Sequence, residues 1–413
     1  MLVKSLYAKK VRASSSSLWR RKGPRLVRLD VELTERCNND CIHCYINLPA
    51  NDEKARGREL SAAEIKRVLG EAADLGCLTV RFTGGEPLLR PDFEEIYLAA
   101  RNLGMGVVLF TNACLLNPKL ADLLKRVPPL RKLEVSVYGM TRASYERVSR
   151  AKGSFKAAWR GIRLLHERGI PFIVKGALLP PNKEERPDFE NWASNIPWMD
   201  GPPSYSMFYD LHCRRDREKS RSIARLRVDP KEAARELAGN PRKKAGFMDF
   251  VSKFSEAPGN DLFTCGAGFK TACLDAYGTL YPCIMLRSPE AAFDIRKGGL
   301  GEAMNVPFAK LRAMKASLPE YLERCARCFL KGLCEQCPAK SWIEHGVLDL
   351  PVEYFCDVAH ALARELGLLK PDEKGWEIAD GIERAHGRTG TGPAKKGSLH
   401  GRAEKECPGT SGT

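Results

Sequence analysis

The pattern of apolar and polar positions changes period repeatedly along residues 26–209. Residues 26–33 alternate with the period of two that is typical of a strand, and Ser61-Ala62-Ala63-Glu64 then has the form of a helix capping box. Further apolar runs predict strands at residues 77–82, 105–110, 133–137 and 170–179, with a weaker sixth strand at 205–209. Helices are predicted between these strands at residues 61–75, 91–103, 118–126 and 153–168.

Strands that alternate with helices at this spacing predict a parallel sheet of the α/β class. Six such units are fewer than the eight of a closed barrel, so we expect an open, partial (β/α)6 TIM-like barrel. The character changes after residue 262, where cysteines become frequent and residues 274–280 predict a hairpin that turns near Gly278. The predicted organisation is a basic arm (1–25), a core (26–225), a linker or helix (226–262), a small Cys-rich domain (263–367) and a polar, disordered tail (368–413).

Composition narrows the class of protein. The chain has 413 residues, of which 43% are hydrophobic, and no apolar run approaches the roughly 18 residues of a membrane helix. Its 15 cysteines include CxxC spacings and no secretory segment precedes them, which favours metal ligation in a reducing cytoplasm over disulfides.

The net charge of +16 is unevenly distributed. Residues 1–28 hold nine Lys or Arg and no acid, so this arm is solvated, binds a partner, contacts nucleic acid or is a transit peptide; we favour a solvated or partner-binding arm. A second Arg-rich stretch, residues 213–227, is interpreted as a solvated linker or helix face, with an acidic peptide or nucleic acid as the alternative ligand.

The first candidate site is the CxxxCxxC segment of Cys37, Cys41 and Cys44, directly after the first predicted strand. Three thiolates can hold three corners of a cubic 4Fe–4S cluster, whereas an electron carrier normally has four cysteine ligands. The fourth iron is then open to a ligand, as in catalytic metal sites. The alternatives are three unrelated buried cysteines or half of a zinc site.

A second group of eight cysteines follows in the C-terminal part. Its centre is the run Cys325-x2-Cys328-x5-Cys334-x2-Cys337, and the other members are Cys265, Cys273, Cys283 and Cys356. Eight thiolates are two full sets of four, although CxxC pairs also suit zinc. Cys77, Cys114 and Cys213 are interpreted as small buried residues, and Cys407 as unrelated to the chemistry.

The order of these motifs on the predicted elements resembles the radical S-adenosylmethionine (radical SAM) enzymes over residues 26–225. The matching residues are the CxxxCxxC segment and Thr83-Gly84-Gly85-Glu86-Pro87 after the second strand. The resemblance implies that Cys37, Cys41 and Cys44 ligate a 4Fe–4S cluster whose open iron binds SAM. One electron then breaks the C5′–S bond, and the resulting 5′-deoxyadenosyl radical abstracts a hydrogen atom from the substrate.

The resemblance also implies residues that contact SAM. Gly84, Gly85 and Glu86 match the segment that meets its amino group, and His43 stands where the family usually has an aromatic residue near the adenine, although it also suits a loop surface. Ser136 resembles a family Ser near the ribose or carboxylate, while Tyr138 departs from the Asp that many relatives have. Arg147 and Arg150 are both candidates for the SAM carboxylate, with surface salt bridges as the alternative.

The cysteine-rich part resembles the SPASM extension, which often holds two auxiliary 4Fe–4S clusters. Carried over by position, the first cluster takes Cys265, Cys273, Cys283 and Cys337, and the second takes Cys325, Cys328, Cys334 and Cys356. The last gap in the run is two residues here and three in the common family pattern. The expected fold is therefore a partial barrel with a small auxiliary-cluster domain at its C-terminal side.

Enzymes with this extension mostly modify ribosomally made peptides or proteins, so a peptide-modifying oxidoreductase is the expected function. Ile284 stands where formylglycine-forming relatives have a catalytic Asp, which argues against that reaction. Only some 25 residues precede the first strand, so we expect the basic arm, the Arg-rich linker or a separate leader-binding protein to recognise the peptide. A flavodoxin or ferredoxin is the expected electron donor. The alternatives are an enzyme that acts on a haem-precursor tetrapyrrole and a non-catalytic iron–sulfur protein.

Overall fold

The computed structural model describes residues 25–206, 217–239, 241–254 and 259–387. Almost all of the basic arm lies outside these residues, as do Cys213 and Cys407. No helix within the described ranges is long and apolar enough to cross a membrane.

The described residues form one large sheet and one small one. The strands of the large sheet are Arg28–Thr34 (β1), Thr79–Gly84 (β2), Gly106–Thr111 (β3), Leu133–Val137 (β4), Phe172–Ala177 (β5), Ser204–Ser206 (β6), Thr271–Leu274 (β7), Thr279–Tyr281 (β8) and Phe293–Asp294 (β9). Their order across the sheet is β9-β8-β7-β1-β2-β3-β4-β5-β6. The small sheet pairs Arg36–Cys37 with Leu48–Pro49.

Helices connect and cover these strands. In the first half they are Glu53–Arg56 (α1), Ala62–Asp74 (α2), Phe93–Asn102 (α3), Pro118–Arg126 (α4), Arg142–Ser149 (α5), Ser154–Glu167 (α6) and Arg186–Ala193 (α7). In the second half they are Arg217–Ala224 (α8), Pro230–Ala238 (α9), Pro241–Phe254 (α10), Leu300–Asn305 (α11), Pro307–Arg312 (α12), Pro338–His345 (α13), Glu353–Glu365 (α14) and Gly381–Gly387 (α15).

Local sequence explains where the core helices begin and end. The Ser61 side chain accepts a hydrogen bond from the Glu64 N–H, and the Glu64 carboxylate accepts one from the Ser61 N–H in return, so the predicted capping box is present at α2. Asn117 caps α4 with Pro118 at its first turn. Gly104 and Gly169, the predicted helix stops, have positive φ angles of 82° and 66°.

Strands β1 to β6 are parallel, which confirms the predicted partial barrel of six strand–helix units. One face of these strands is apolar and packs on the helices: Val31, Phe82 and Val135 share a core with Ile65 and Leu165. The opposite face carries polar side chains and turns inward; we call it the lumen. The lumen residues used below are Asp30, Glu32, Arg81, Phe110, Glu134, Ser136 and Lys175.

The predicted hairpin is present, but it extends the barrel instead of forming a separate body. Strand β8 is antiparallel to β7, and Gly278 turns between them with a φ of 95°. Strand β7 also pairs in parallel with β1, with Asp30 opposite Cys273 and Arg28 opposite Thr271. The C-terminal cysteine-rich part therefore shares the main sheet of the barrel.

The prediction of a disordered tail from residue 368 is wrong for the part that the structure describes, residues 368–387. Leu368 and Leu369 are buried in a second core with Leu362, helix α15 follows, and the Trp376 ring centroid lies 5.1 Å from that of His360. The apolar residues were too widely spaced to reveal this packing in the sequence. Residues 388–413 lie outside the described ranges.

The segment 226–262, which was predicted to be a linker or helix, contains two helices in its described part. Helices α9 and α10 each bury a side chain, Ala234 and Val251, in the second core beside Phe329. Helix α8 of the Arg-rich stretch buries Ile223 against a cluster that includes Ile42 and Tyr138. One face of α8 is thus packed on the barrel, although its composition suggested a solvated face.

Candidate active site

The CxxxCxxC segment forms a loop directly after β1. Its main chain is tied to the end of α5, because the Asp40 N–H donates to the Ser149 carbonyl at 2.9 Å and the Ile42 N–H to the Val148 carbonyl at 3.0 Å. The Cys41 side chain is buried, and Cys37 and Cys44 are half-buried. The loop is therefore fixed by backbone hydrogen bonds that do not depend on a ligand.

The three thiols of this loop lie close enough to affect one another. Burial raises the pKa of Cys37 and of Cys41, and the neighbouring Cys44 raises both further, while a hydrogen bond from Tyr138 acts in the opposite direction on Cys41. Buried thiols that crowd together ionise only with a positive group among them, which is what the irons of a cluster supply. The donor set therefore fits a 4Fe–4S cluster.

A single zinc ion fits the donors less well. Within the described ranges, no three His, Cys, Asp or Glu side chains converge on one ion position. In a cubic cluster each thiolate binds a different iron, so convergence on one point is not required.

Gly84 and Gly85 join the end of β2 to the residues just before Cys37. The Gly85 N–H donates to the Thr34 carbonyl at 2.7 Å, and the Glu86 N–H donates to the Arg36 carbonyl at 2.9 Å. A Cβ atom on Gly85 would lie 2.1 Å from the Arg36 oxygen, and one on Gly84 equally close to the Thr34 oxygen. Both positions are therefore glycine because the two backbones approach too closely to leave room for a Cβ atom.

Glu86 is fully buried, and its carboxylate is an internal acceptor. Its oxygens accept from the Thr111 hydroxyl at 2.8 Å, the Asn112 N–H at 2.8 Å and the Leu88 N–H at 3.2 Å. Burial raises its pKa to about 7. Glu86 therefore connects the ends of β2 and β3, and its predicted contact with the SAM amino group stays a prediction.

His43 and Ser136 both face the interior of the protein. The His43 ring meets Tyr138 edge-on at 5.5 Å between centroids, so His43 is packed inward and is not a loop surface residue. Burial, followed by the nearby Lys219, lowers the pKa of His43 to about 4. Ser136 is half-buried on the lumen face of β4, opposite Lys175 in the strand register.

The two candidate arginines differ in position. Arg150 ends α5 with a φ of 51° and lies 3.7 Å from the Asp40 carboxylate. It lines a cavity of about 390 Å³ that Cys37 also lines. Both arginines are exposed, and Arg150 is the one that has an ion pair with the cysteine loop.

The lumen carries charged side chains that the sequence analysis did not single out. Each acid there pairs with a base: Asp30 with Arg81 at 2.5 Å, Glu32 with Arg287 at 2.8 Å, and Glu134 with Lys175. Phe110 lies between two of the cations, 4.9 Å from the Arg81 guanidinium and 5.1 Å from the Lys175 amine. The period-two alternation of the strands could have identified these residues, because it places them on one face of the sheet.

The C-terminal cysteines form two groups in space. Burial raises the pKa of Cys283 to about 11, and Cys337 and Cys265 contribute to the same rise. Burial likewise raises the pKa of Cys334, with added contributions from the other three members of its group, Cys328, Cys356 and Cys325.

Cys273 lies on β7, and its Sγ accepts a hydrogen bond from Arg287 at 3.4 Å. The second spatial group has all four members of its predicted ligand set, and the first has three of its four; the remaining predicted member is Cys273. A cavity of about 250 Å³ lies between the groups and is lined by Cys265, Cys325, Cys328, Cys334, Cys337 and Cys356. The ligand assignments themselves stay predictions.

Asn112 is a site residue that the sequence analysis did not identify. Its amide nitrogen donates to the Asn38 side chain at 2.9 Å and lies 3.7 Å from the Cys37 sulfur. It directly follows β3, whose carboxyl end meets that of β1 across β2. Position after a parallel strand was therefore the signal that could have found it.

Comparison with known proteins agrees with this arrangement. Residues 31–193 match the model of the radical SAM superfamily. An AdoMet-dependent heme synthase of Methanosarcina barkeri is 27% identical over 348 residues, covering 78% of this chain and 93% of that protein. A PqqA peptide cyclase of Gluconobacter oxydans is 27% identical over 299 residues, covering 72% of this chain and 81% of that protein. The solved structure of histidine-tagged anSMEcpe with bound AdoMet aligns with a TM-score of 0.60 at 14% identity, covering 87% of this chain and 99% of that chain.

An open cysteine loop at the carboxyl edge of a partial barrel defines a class of enzymes that activate a ligand on an iron–sulfur cluster. The chain is a radical SAM enzyme, whose family match covers residues 31–193, and its cysteine-rich C-terminal part resembles the SPASM type. Its cofactors are a 4Fe–4S cluster and SAM. The predicted family, fold class, enzyme class and cofactors are thereby confirmed.

Proposed function

We propose that this radical SAM enzyme modifies a ribosomally made peptide or small protein. A reduced 4Fe–4S cluster with bound SAM would supply one-electron cleavage of the C5′–S bond and hydrogen-atom abstraction from the substrate. Cys37, Cys41 and Cys44 hold the cluster in this proposal. Ser136 and His43 orient SAM, and Arg150 is preferred over Arg147 for its carboxylate.

The charge balance of the lumen carries the proposal of a peptide substrate. Each of the three lumen acids is paired with a base, as described above, so the lumen face of the strands is polar but close to neutral. Such a surface offers both donors and acceptors, which suits the mixed polar groups of a peptide. A substrate with several carboxylates would instead require cations that are not already paired. The similarity to a PqqA peptide cyclase supports the same substrate class.

A haem-precursor tetrapyrrole is the second candidate substrate. It is favoured by the AdoMet-dependent heme synthase, of which this chain covers 93% at 27% identity. Lys175 is the lumen cation best placed to pair with a carboxylate of such a substrate, because 39% of its side chain is exposed. Release of Lys175 from Glu134 would then have to accompany binding.

The partners and organisation belong to the same proposal. The peptide is delivered by a separate leader-binding protein, and a flavodoxin or ferredoxin supplies the electron. The core (26–225) binds SAM and substrate, and residues 263–367 hold two auxiliary clusters that accept the electron that the substrate radical loses on oxidation.

The test is an anaerobic assay of the reconstituted enzyme with SAM and a chemical reductant. We expect 5′-deoxyadenosine from the wild type and none from Cys41→Ala, and a mass change in a peptide encoded beside the gene. A fully loaded enzyme that forms no 5′-deoxyadenosine would contradict the reaction. A mass change in a propionate-bearing porphyrin, with the peptides unaltered, would favour the second candidate.

A further inference from the structure

Arg287 connects the barrel to the cysteine-rich part through a buried contact. Its Nη2 atom donates to Glu32 Oε1 at 2.8 Å and to the Cys273 sulfur at 3.4 Å. Only 5% of the Arg287 side chain and none of the Glu32 side chain is exposed. One guanidinium nitrogen therefore touches both a lumen acid of β1 and a thiol of β7.

The surroundings hold the guanidinium in this position. Its Nε donates to the Ile284 carbonyl at 3.1 Å, and its central carbon lies 4.4 Å from the centre of the Tyr281 ring. Tyr281 and Cys273 are paired across β8 and β7, so both of their side chains lie on the face that Arg287 covers. The contact with Cys273 is thus built from three elements and does not depend on a flexible side chain at the surface.

We propose that Arg287 is a positioning residue that sets the reduction potential of the first auxiliary cluster through Cys273, and that Glu32 opposes its effect. The inference depends on the proposed role of Cys273 as a ligand. Hydrogen bonds and positive charge at a ligating sulfur stabilise the reduced, more negative cluster and raise its potential. A carboxylate close to the same guanidinium acts in the opposite sense, and screening by water is small because both groups are buried.

Paired substitutions test this inference in the reconstituted full-length enzyme. Arg287→Gln removes the cation, so the auxiliary potential should fall by at least a tenfold change in the one-electron equilibrium, about 59 mV. Glu32→Gln removes the opposing anion, so the same potential should rise. The readouts are iron per chain and an EPR-monitored redox titration, neither of which requires turnover.

Arg296→Gln is the matched control. Arg296 also bridges the C-terminal part to the barrel, through Glu64 at 3.3 Å, but its side chain is 51% exposed and its recorded contacts are with oxygen atoms. Its substitution should leave every potential unchanged. If Arg287→Gln does not load iron, Arg287→Lys keeps the charge and should give a potential between those of the wild type and a neutral variant.

The outcomes separate this inference from the proposed function. Opposite shifts for Arg287→Gln and Glu32→Gln, with full iron content, support it. Unchanged potentials, or shifts of the same sign in both variants, overturn it. Neither result affects the proposal that the substrate is a peptide. Full iron content in Cys273→Ala would remove Cys273 from the ligand set and overturn the inference by that route. Absence of peptide modification with opposite potential shifts would affect only the proposed function.

Discussion

At the scale of single residues, Glu86 of the Gly-Gly-Glu-Pro motif stabilises the candidate site through buried hydrogen bonds. Its carboxylate accepts hydrogen bonds from two backbone N–H groups and one hydroxyl, all of them buried. In Glu86→Gln, one backbone N–H of Leu88 or Asn112 faces the amide nitrogen and loses its acceptor. An unsatisfied buried donor costs about 1–3 kcal/mol. We expect the free energy of unfolding to fall by that amount in an anaerobic denaturant titration.

The same substitution should change how stability depends on pH. Burial places the pKa of Glu86 at about 7, above its ordinary value of 4.5. The folded chain therefore holds this proton more tightly, and the contribution of Glu86 to stability is lost as the pH rises through about 7. The stability gap between wild type and Glu86→Gln should narrow from about pH 4.5 to about pH 7 and then stay constant.

The exposed Glu95 provides a control for both measurements. It pairs with Lys66 at the surface, where its side chain is 53% exposed, so Glu95→Gln should change neither stability nor its pH dependence noticeably. An equal loss in the two variants would mean that the burial of Glu86 is not the cause.

The sequence predicted groups of site residues that lie close together along the chain. It did not predict contacts between residues that lie far apart along the chain. Cys37, Cys41 and Cys44 lie within eight residues, so their spacing alone placed them on one loop. Arg287 and Glu32 are separated by 255 positions, and their contact depends on the pairing of β7 with β1. No local pattern contains that pairing.

At the scale of elements, the cysteine loop depends on the contact between β2 and the end of β1. Gly85→Ala would place a methyl group 2.1 Å from the Arg36 carbonyl oxygen, which is backbone and cannot rotate away. The two strands must then separate beside Cys37. We expect 5′-deoxyadenosine formation to fall about 100-fold, the effect of a displacement near 1 Å in a catalytic site.

Gly70→Ala is the matched control for that displacement. Gly70 lies in α2, and a Cβ atom there would meet no other atom within 4 Å. Alanine should stabilise this helix by about 1 kcal/mol and leave the rate unaltered. Full activity in Gly85→Ala would show that the approach of the two backbones does not position the cluster loop.

The elements themselves were largely predictable, because the barrel strands and helices follow local periodicity. The predicted ranges 118–126 and 133–137 coincide with α4 and β4. Periodicity did not predict the addition of β7, β8 and β9 to the edge of the barrel, since short strands have the same pattern in a separate domain and in an extended sheet. The segment 226–262 was predicted only as a linker or helix, because the few buried residues of α9 and α10 gave no strong apolar signal.

At the scale of the whole molecule, residues 371–387 close the second cysteine group. The Gly375 N–H donates to His360 Nε2 at 3.0 Å, and a Cβ atom on Gly375 would lie 2.7 Å from the Cys328 sulfur. Trp376 stacks over the Arg324 guanidinium at 4.7 Å, and Arg324 in turn donates to the Cys356 sulfur at 3.5 Å. Sequence composition concealed this role, because the segment is polar and its contacts come from single residues.

Removal of this segment tests whether it protects the second predicted cluster. A chain that ends at Lys370 loses the cover over Cys328 and Cys356, so we expect about eight irons instead of about twelve after reconstitution. The remaining iron should belong to the SAM-binding and first auxiliary clusters, so 5′-deoxyadenosine formation should persist. A chain that ends at Gly387 is the control, because it keeps every described contact and should load iron as the full chain does. Equal iron contents in the two truncated chains, with equal rates of iron loss in air, would show that residues 371–387 do not shield a cluster.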